Sequence, residues 1–146
     1  SDNYYLDDGA FLAVQIIINA ANLKKEGKGI ETMIADLGEP EEAGEIRFDL
    51  TTEDYSEVGD KILEDMKMWV EQTDGLSPEQ PNYEGVRVNF DLGGHSGWFL
   101  LRKSLHDPVM PLNVESSNEG GIPLALDKIK EFMETQSGVI LQSCDR

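Results

Sequence analysis

An α+β fold, with a four-stranded antiparallel sheet and two helices on one of its faces, is what this sequence predicts for its larger part. Three observations predict it. Segments near residues 45–50, 86–90 and 111–115 alternate polar and apolar side chains, as half-buried strands do, and residues 97–102 form an apolar stretch between two of them. Segments after residues 54 and 120 bring apolar residues back every three to four positions, as amphipathic helices do. The breaker-rich stretch Glu39-Pro40-Glu41-Glu42-Ala43-Gly44 separates them from an earlier helical region. Residues 1–38 therefore read as helices closing one incomplete domain, and residues 39–146 as the next domain.

The first helix runs from Leu6-Asp7-Asp8-Gly9 onward, with Asp7 or Asp8 as its cap. Phe11, Val14, Ile17, Ile18 and Ala21 fall on one helical stripe, which Leu12 and Ile16 widen; Gly27 and Gly29 stop it. A second, short helix is expected from Ile30 to Leu37, ending at Gly38. Two helices with this much apolar surface have too little to pack on by themselves.

In the larger part, Glu45 to Leu50 is the first strand. Asp54-x-x-Glu57 has the pattern of a capping box and starts a helix whose buried side is Val58, Ile62, Met66, Trp69 and Val70. Leu76 to Tyr83 reads as a loop. Val86 to Phe90 is a strand, and Gly93-Gly94-His95-Ser96-Gly97 a flexible hairpin connection, somewhat longer than the tight two-residue type, with His95 exposed. Gly97 to Arg102 and Pro111 to Glu115 are the next strands. The last helix starts at Gly120-Gly121, with Pro123 in its first turn and Leu124, Ile129, Phe132 and Met133 as its apolar side. Consecutive strands joined by short turns pair antiparallel.

The chain has 146 residues, of which 39% are hydrophobic, enough for a real core. Its 29 acids against 12 bases leave a formal charge of −17, a field that repels nucleic acid. No apolar run approaches the roughly 18–20 residues that cross a bilayer, so no membrane partner is expected. The longest, Ala10 to Ala21, contains Gln15 and Asn19. The chain opens on polar, acidic residues without the look of a signal peptide, and Ser1 reads as an arbitrary boundary. The single Cys144 suits a reducing compartment. A cytoplasmic location is expected, with a plastid left open.

Chemistry is concentrated in one place. Leu101 to Pro108 carries Arg102, Ser104 and His106 into a short loop between two strands. A guanidinium fork matches two phosphate oxygens at once, a hydroxyl adds a donor, and turn amides can point the same way. His106 can donate from a ring nitrogen. Asp107 opposes a dianion and is expected to face outward or to pair with Lys103 or Arg102. The spacing is equally that of a surface salt bridge with a turn-shaping serine. No metal-ligand spacing, nucleophile elbow or P-loop occurs. Asp7-Asp8 looks like a carboxylate pair, but helix capping explains it better. No catalytic residue, metal ligand or cofactor is assigned to this chain.

At these residues the sequence resembles a family. Glu84-Gly85-Val86-Arg87-Val88-Asn89-Phe90, then Gly97-Trp98-Phe99-Leu100-Leu101-Arg102-x-Ser104-x-x-x-Pro108, then Leu112-Asn113-Val114-Glu115 is similar to the C-terminal domain of the α-D-phosphohexomutases, the phosphoglucomutase and phosphomannomutase enzymes. Leu6-Asp7-Asp8-Gly9-Ala10-Phe11-Leu12-Ala13 is similar to the helix that closes their third domain. The resemblance covers nearly the whole chain in order and spacing. It implies an intramolecular phosphotransferase, an isomerase of carbohydrate metabolism, that moves a phosphoryl group between C1 and C6 of a hexose.

The resemblance also implies where the parts lie. The phosphoserine, the Mg²⁺ loop and the sugar-recognition motif would be upstream of Ser1, so this region is expected to be inactive alone. The sheet is expected to resemble the TATA-binding-protein layer. Arg102 and Ser104 match the family's phosphate-binding positions. Leu105 stands where Asn or Gly is usual and would contribute its backbone N–H, and His106 stands where Thr is usual. The implied partners are a hexose phosphate or bisphosphate and the upstream domains. The competing expectation is a non-enzymatic acidic interaction module that docks a partner on the helix from Ala10 to Ala21.

Overall fold

The computed structural model describes residues 9–141. The proposed caps Asp7 and Asp8, and Cys144, lie outside the described residues. The chain divides between Glu39 and Pro40 into two units.

In the first unit, α1 runs over Gly9–Lys25. It closes with Gly27 N–H donating to Lys24 O at 3.1 Å and Lys28 N–H to Leu23 O at 2.9 Å, the paired bonds of a Schellman ending. No residue of α1 is buried; Ile17 is 66% exposed and Leu12 59%. The helix expected over Ile30 to Leu37 is instead a 3₁₀ turn, Ile30–Met33. Between Gly29 and Gly38 there is no side-chain cap to start an α-helix, and bonds of the Ile34 N–H to Glu31 O type (3.2 Å) take over.

The second unit is α+β, and its described residues form one open antiparallel sheet of six strands rather than the expected four. The elements are β1 (Glu42–Leu50), α2 (Tyr55–Gln72), β2 (Leu76–Pro78), β3 (Val86–Leu92), β4 (His95–Leu101), β5 (Val109–Ser116), α3 (Gly121–Glu134) and β6 (Val139–Leu141). The strand order is β2-β3-β4-β5-β1-β6. The four expected strands are its centre. The two additions are short edge strands, and β2 takes up part of the presumed loop after Leu76. Three residues are too few to show a period, so neighbouring strands, not local pattern, recruit them.

One face of the sheet is dry. Phe48, Val88, Phe99, Leu101 and Leu112 are buried there against Ile62, Met66 and Val70 of α2 and Ile129 and Phe132 of α3. The rings of Trp69 and Phe132 meet at 5.0 Å, so both helices share this face. Leu124 does not join them: it is 39% exposed, and Ala125 takes the buried position. The other face is polar. Arg87 lies 4.0 Å over the Trp98 ring, and Trp98 Nε1 donates to Glu115 at 3.0 Å.

Three further expectations are corrected. Asp54 makes no capping hydrogen bond, because its backbone (φ −86°, ψ 38°) is outside the extended region that aims a cap side chain at the first amides. The Gly93–Gly94 connection is a tight two-residue turn, with Leu92 paired to His95 and both glycines at positive φ (64° and 89°). His95 is accordingly a half-buried strand residue, and its Nδ1 is buried without a hydrogen-bond partner among the described residues.

β1 starts at Glu42, inside the presumed linker. Its carboxylate accepts from Gly120 N–H and Ile122 N–H, both at 2.9 Å, where α3 begins. Those two bonds, Ile122's first, hold Glu42 below the usual carboxylate range.

Candidate functional site

The loop after β4 is built as a continuation of the β4–β5 hairpin. Arg102 N–H donates to Pro111 O at 3.1 Å and Ser104 N–H to Val109 O at 3.0 Å. These bonds are in phase, so the pleat continues past Leu101. Residues two apart then share a side: Leu101 and Lys103 face the helices, while Arg102 and Ser104 face the other way. The far side of the loop is fixed by Leu50 N–H donating to Pro108 O at 2.7 Å, which ties it to the end of β1.

Ser104 shapes the bend. Its Oγ accepts from the N–H of His106 at 3.4 Å and of Asp107 at 3.3 Å. A hydroxyl has two acceptor positions and one proton. Its proton has no acceptor among the described residues. The N–H groups of Lys103 and Leu105 have no acceptor among the described residues.

Arg102 is half-buried, and its guanidinium makes no hydrogen bond or salt bridge with the described residues. Its charge reaches Glu45, whose carboxyl lies below the usual range chiefly through Arg47, then Asn113, with Arg102 a minor contributor. Asp107 forms no salt bridge with Arg102 or Lys103. Lys103 instead reaches α2, where its Nζ lies 2.6 Å from Asp60 Oδ1.

A cavity of about 430 Å³ opens beside the loop, lined by Leu63, Tyr83, Glu84, Gly85, Arg102, Lys103 and Leu105. It is within the size range of small-ligand sites. Of the residues singled out from sequence, Arg102 and Leu105 line it. Ser104 and His106 do not, and His106 is exposed at the loop tip. Tyr83, Glu84 and Gly85 were missed. A signal for them exists: the two-residue turn sets Val86 against Leu101, and one more step sets Gly85 against Arg102.

The loop's donors are a guanidinium, a hydroxyl and amides without an acceptor among the described residues, which suit an oxyanion, whereas the Glu84 carboxylate in the cavity lining opposes one. No group of three or more His, Cys, Asp or Glu able to hold a metal ion occurs among the described residues. No helix among them is long and apolar enough to cross a membrane. No family model matches the sequence, and no curated protein matches it.

Proposed function

We propose that this chain is the C-terminal, substrate phosphate-binding region of a phosphohexomutase that interconverts hexose 1-phosphate and hexose 6-phosphate. The observation that carries the reading is the Arg102 guanidinium, without a hydrogen bond or salt bridge among the described residues, on the same side of the hairpin as Ser104. The Leu105 amide, which has no acceptor among the described residues, adds a third donor in the same loop. On this reading the TATA-binding-protein-like layer that the resemblance implies would be sought in the four central strands with α2 and α3.

In that role the loop grips the phosphate that is not being transferred. Holding one end of the substrate supplies positioning and electrostatic stabilisation for the reaction at the other. The same loop accepts either phosphate of a bisphosphate, which lets the sugar reorient between half-reactions. The reacting groups and Mg²⁺ belong to upstream domains, which are partners of this region. The chain carries a charge of −17, so local donors must outweigh a repulsive field.

Titration of the chain with inorganic phosphate or glucose 1,6-bisphosphate, followed by NMR, tests this. Shifts centred on Arg102, Ser104, Leu105 and His106 are expected, with millimolar affinity, since one phosphate grip supplies about 4 kcal/mol. Arg102→Ala should abolish them. A loop that stays unshifted well above millimolar phosphate overturns the reading.

A second reading, a non-enzymatic interaction module, is favoured by the exposed apolar side chains of α1. It requires partner binding that survives Arg102→Ala, with shifts confined to Gly9–Lys25.

A further inference from the structure

We propose that Lys103 is a positioning residue for the phosphate-binding loop: clamped to α2, it keeps Arg102 and Ser104 together on the opposite side of the hairpin. The inference rests on the functional reading above and deepens it.

Lys103 is the one loop residue whose side chain is fully committed to the protein. Its Nζ donates to Asp60 Oδ1 at 2.6 Å, Ser56 Oγ at 3.1 Å and Ser56 O at 3.2 Å. An ammonium has three protons, so none is left for a ligand. The side chain is only 21% exposed. Its stem lies across Gly59, so closely that a Cβ there would meet Lys103 Cδ at 2.9 Å. These contacts join residues more than forty positions apart and fix which way the strand faces after Leu101. If Lys103 is held toward α2, the pleat sends Arg102 and Ser104 the other way.

A clamp and a mere positive charge near the phosphate make opposite predictions for Asp60. Removing the Asp60 charge lessens repulsion of an anion, so the charge view expects tighter binding. A clamp expects weaker binding, because the loop loses its anchor. The 146-residue chain is therefore titrated with inorganic phosphate as wild type, Asp60→Asn, Lys103→Met and Arg102→Ala, with Ser104 amide hydrogen exchange measured alongside. Asp60→Asn and Lys103→Met should each weaken phosphate binding about fivefold or more and speed Ser104 exchange. Asp60 is 65% exposed, so its variant should fold even if Lys103→Met does not. Equal or tighter phosphate binding by Asp60→Asn overturns the proposal. If wild type binds no phosphate, the functional reading falls. Ser104 exchange then judges the clamp: faster exchange in Asp60→Asn supports it, and unchanged exchange overturns it.

Discussion

Gly85 limits how Arg102 can be held. Its φ is +117°, and a Cβ on it would overlap the Leu101 carbonyl and meet Arg102 Cα at 3.0 Å. Only glycine lets the start of β3 lie this close to the loop. Gly85→Ala should cost roughly 1–3 kcal/mol in urea unfolding, and it should also weaken phosphate binding by displacing Arg102. That Arg102 and Ser104 lie in a loop after an apolar strand was legible in the sequence. The roles of Gly85 and Lys103 were not, because each depends on a partner far along the chain. His106 sits exposed at the tip and, like Ser104, outside the cavity lining.

Among the elements, the join between β1 and α3 gives a pH-dependent prediction. Glu42 bonds to two amides at the start of α3, and its pKa is lowered from 4.5. A carboxyl with a lowered folded-state pKa stabilises above its unfolded value, and that contribution is lost as pH falls through the folded pKa. Glu42→Gln should thus lower Tm at pH 7, and the gap from wild type should close well below pH 4.5. β4 carries the core at the sheet's centre. Phe99 is fully buried there, so Phe99→Ala should cost about 3–5 kcal/mol by denaturant unfolding. Three of the central strands and both packed helices were readable because each shows its own period over several turns or pleats, and residues 97–102 because they are an apolar run between turn signals. β2, β6 and the 3₁₀ turn were not, being three or four residues long.

The whole molecule comprises two units of unequal internal support. The second has a continuous buried core, whereas α1 in the first buries no residue. Amide exchange follows local opening, and opening is easiest where few apolar contacts must break. The amides of Gly9–Lys25 should exchange far faster than those of β4 and β5 in the 146-residue chain. Comparable protection in both would show α1 held by contacts of its own. The charge of −17 acts on the molecule as a whole and bears on partners, not on the fold.

Local patterning was sufficient for the α+β class, the antiparallel centre of the sheet and the loop that carries Arg102 and Ser104. Each of these is written in periods and turn residues spanning a few neighbours. Pairing between distant segments settled the number of strands, the clamp from Lys103 to Asp60, and the placing of Gly85 against Arg102. Such contacts join residues that sit tens of positions apart, and they exist only once strands in register bring those residues within bonding distance.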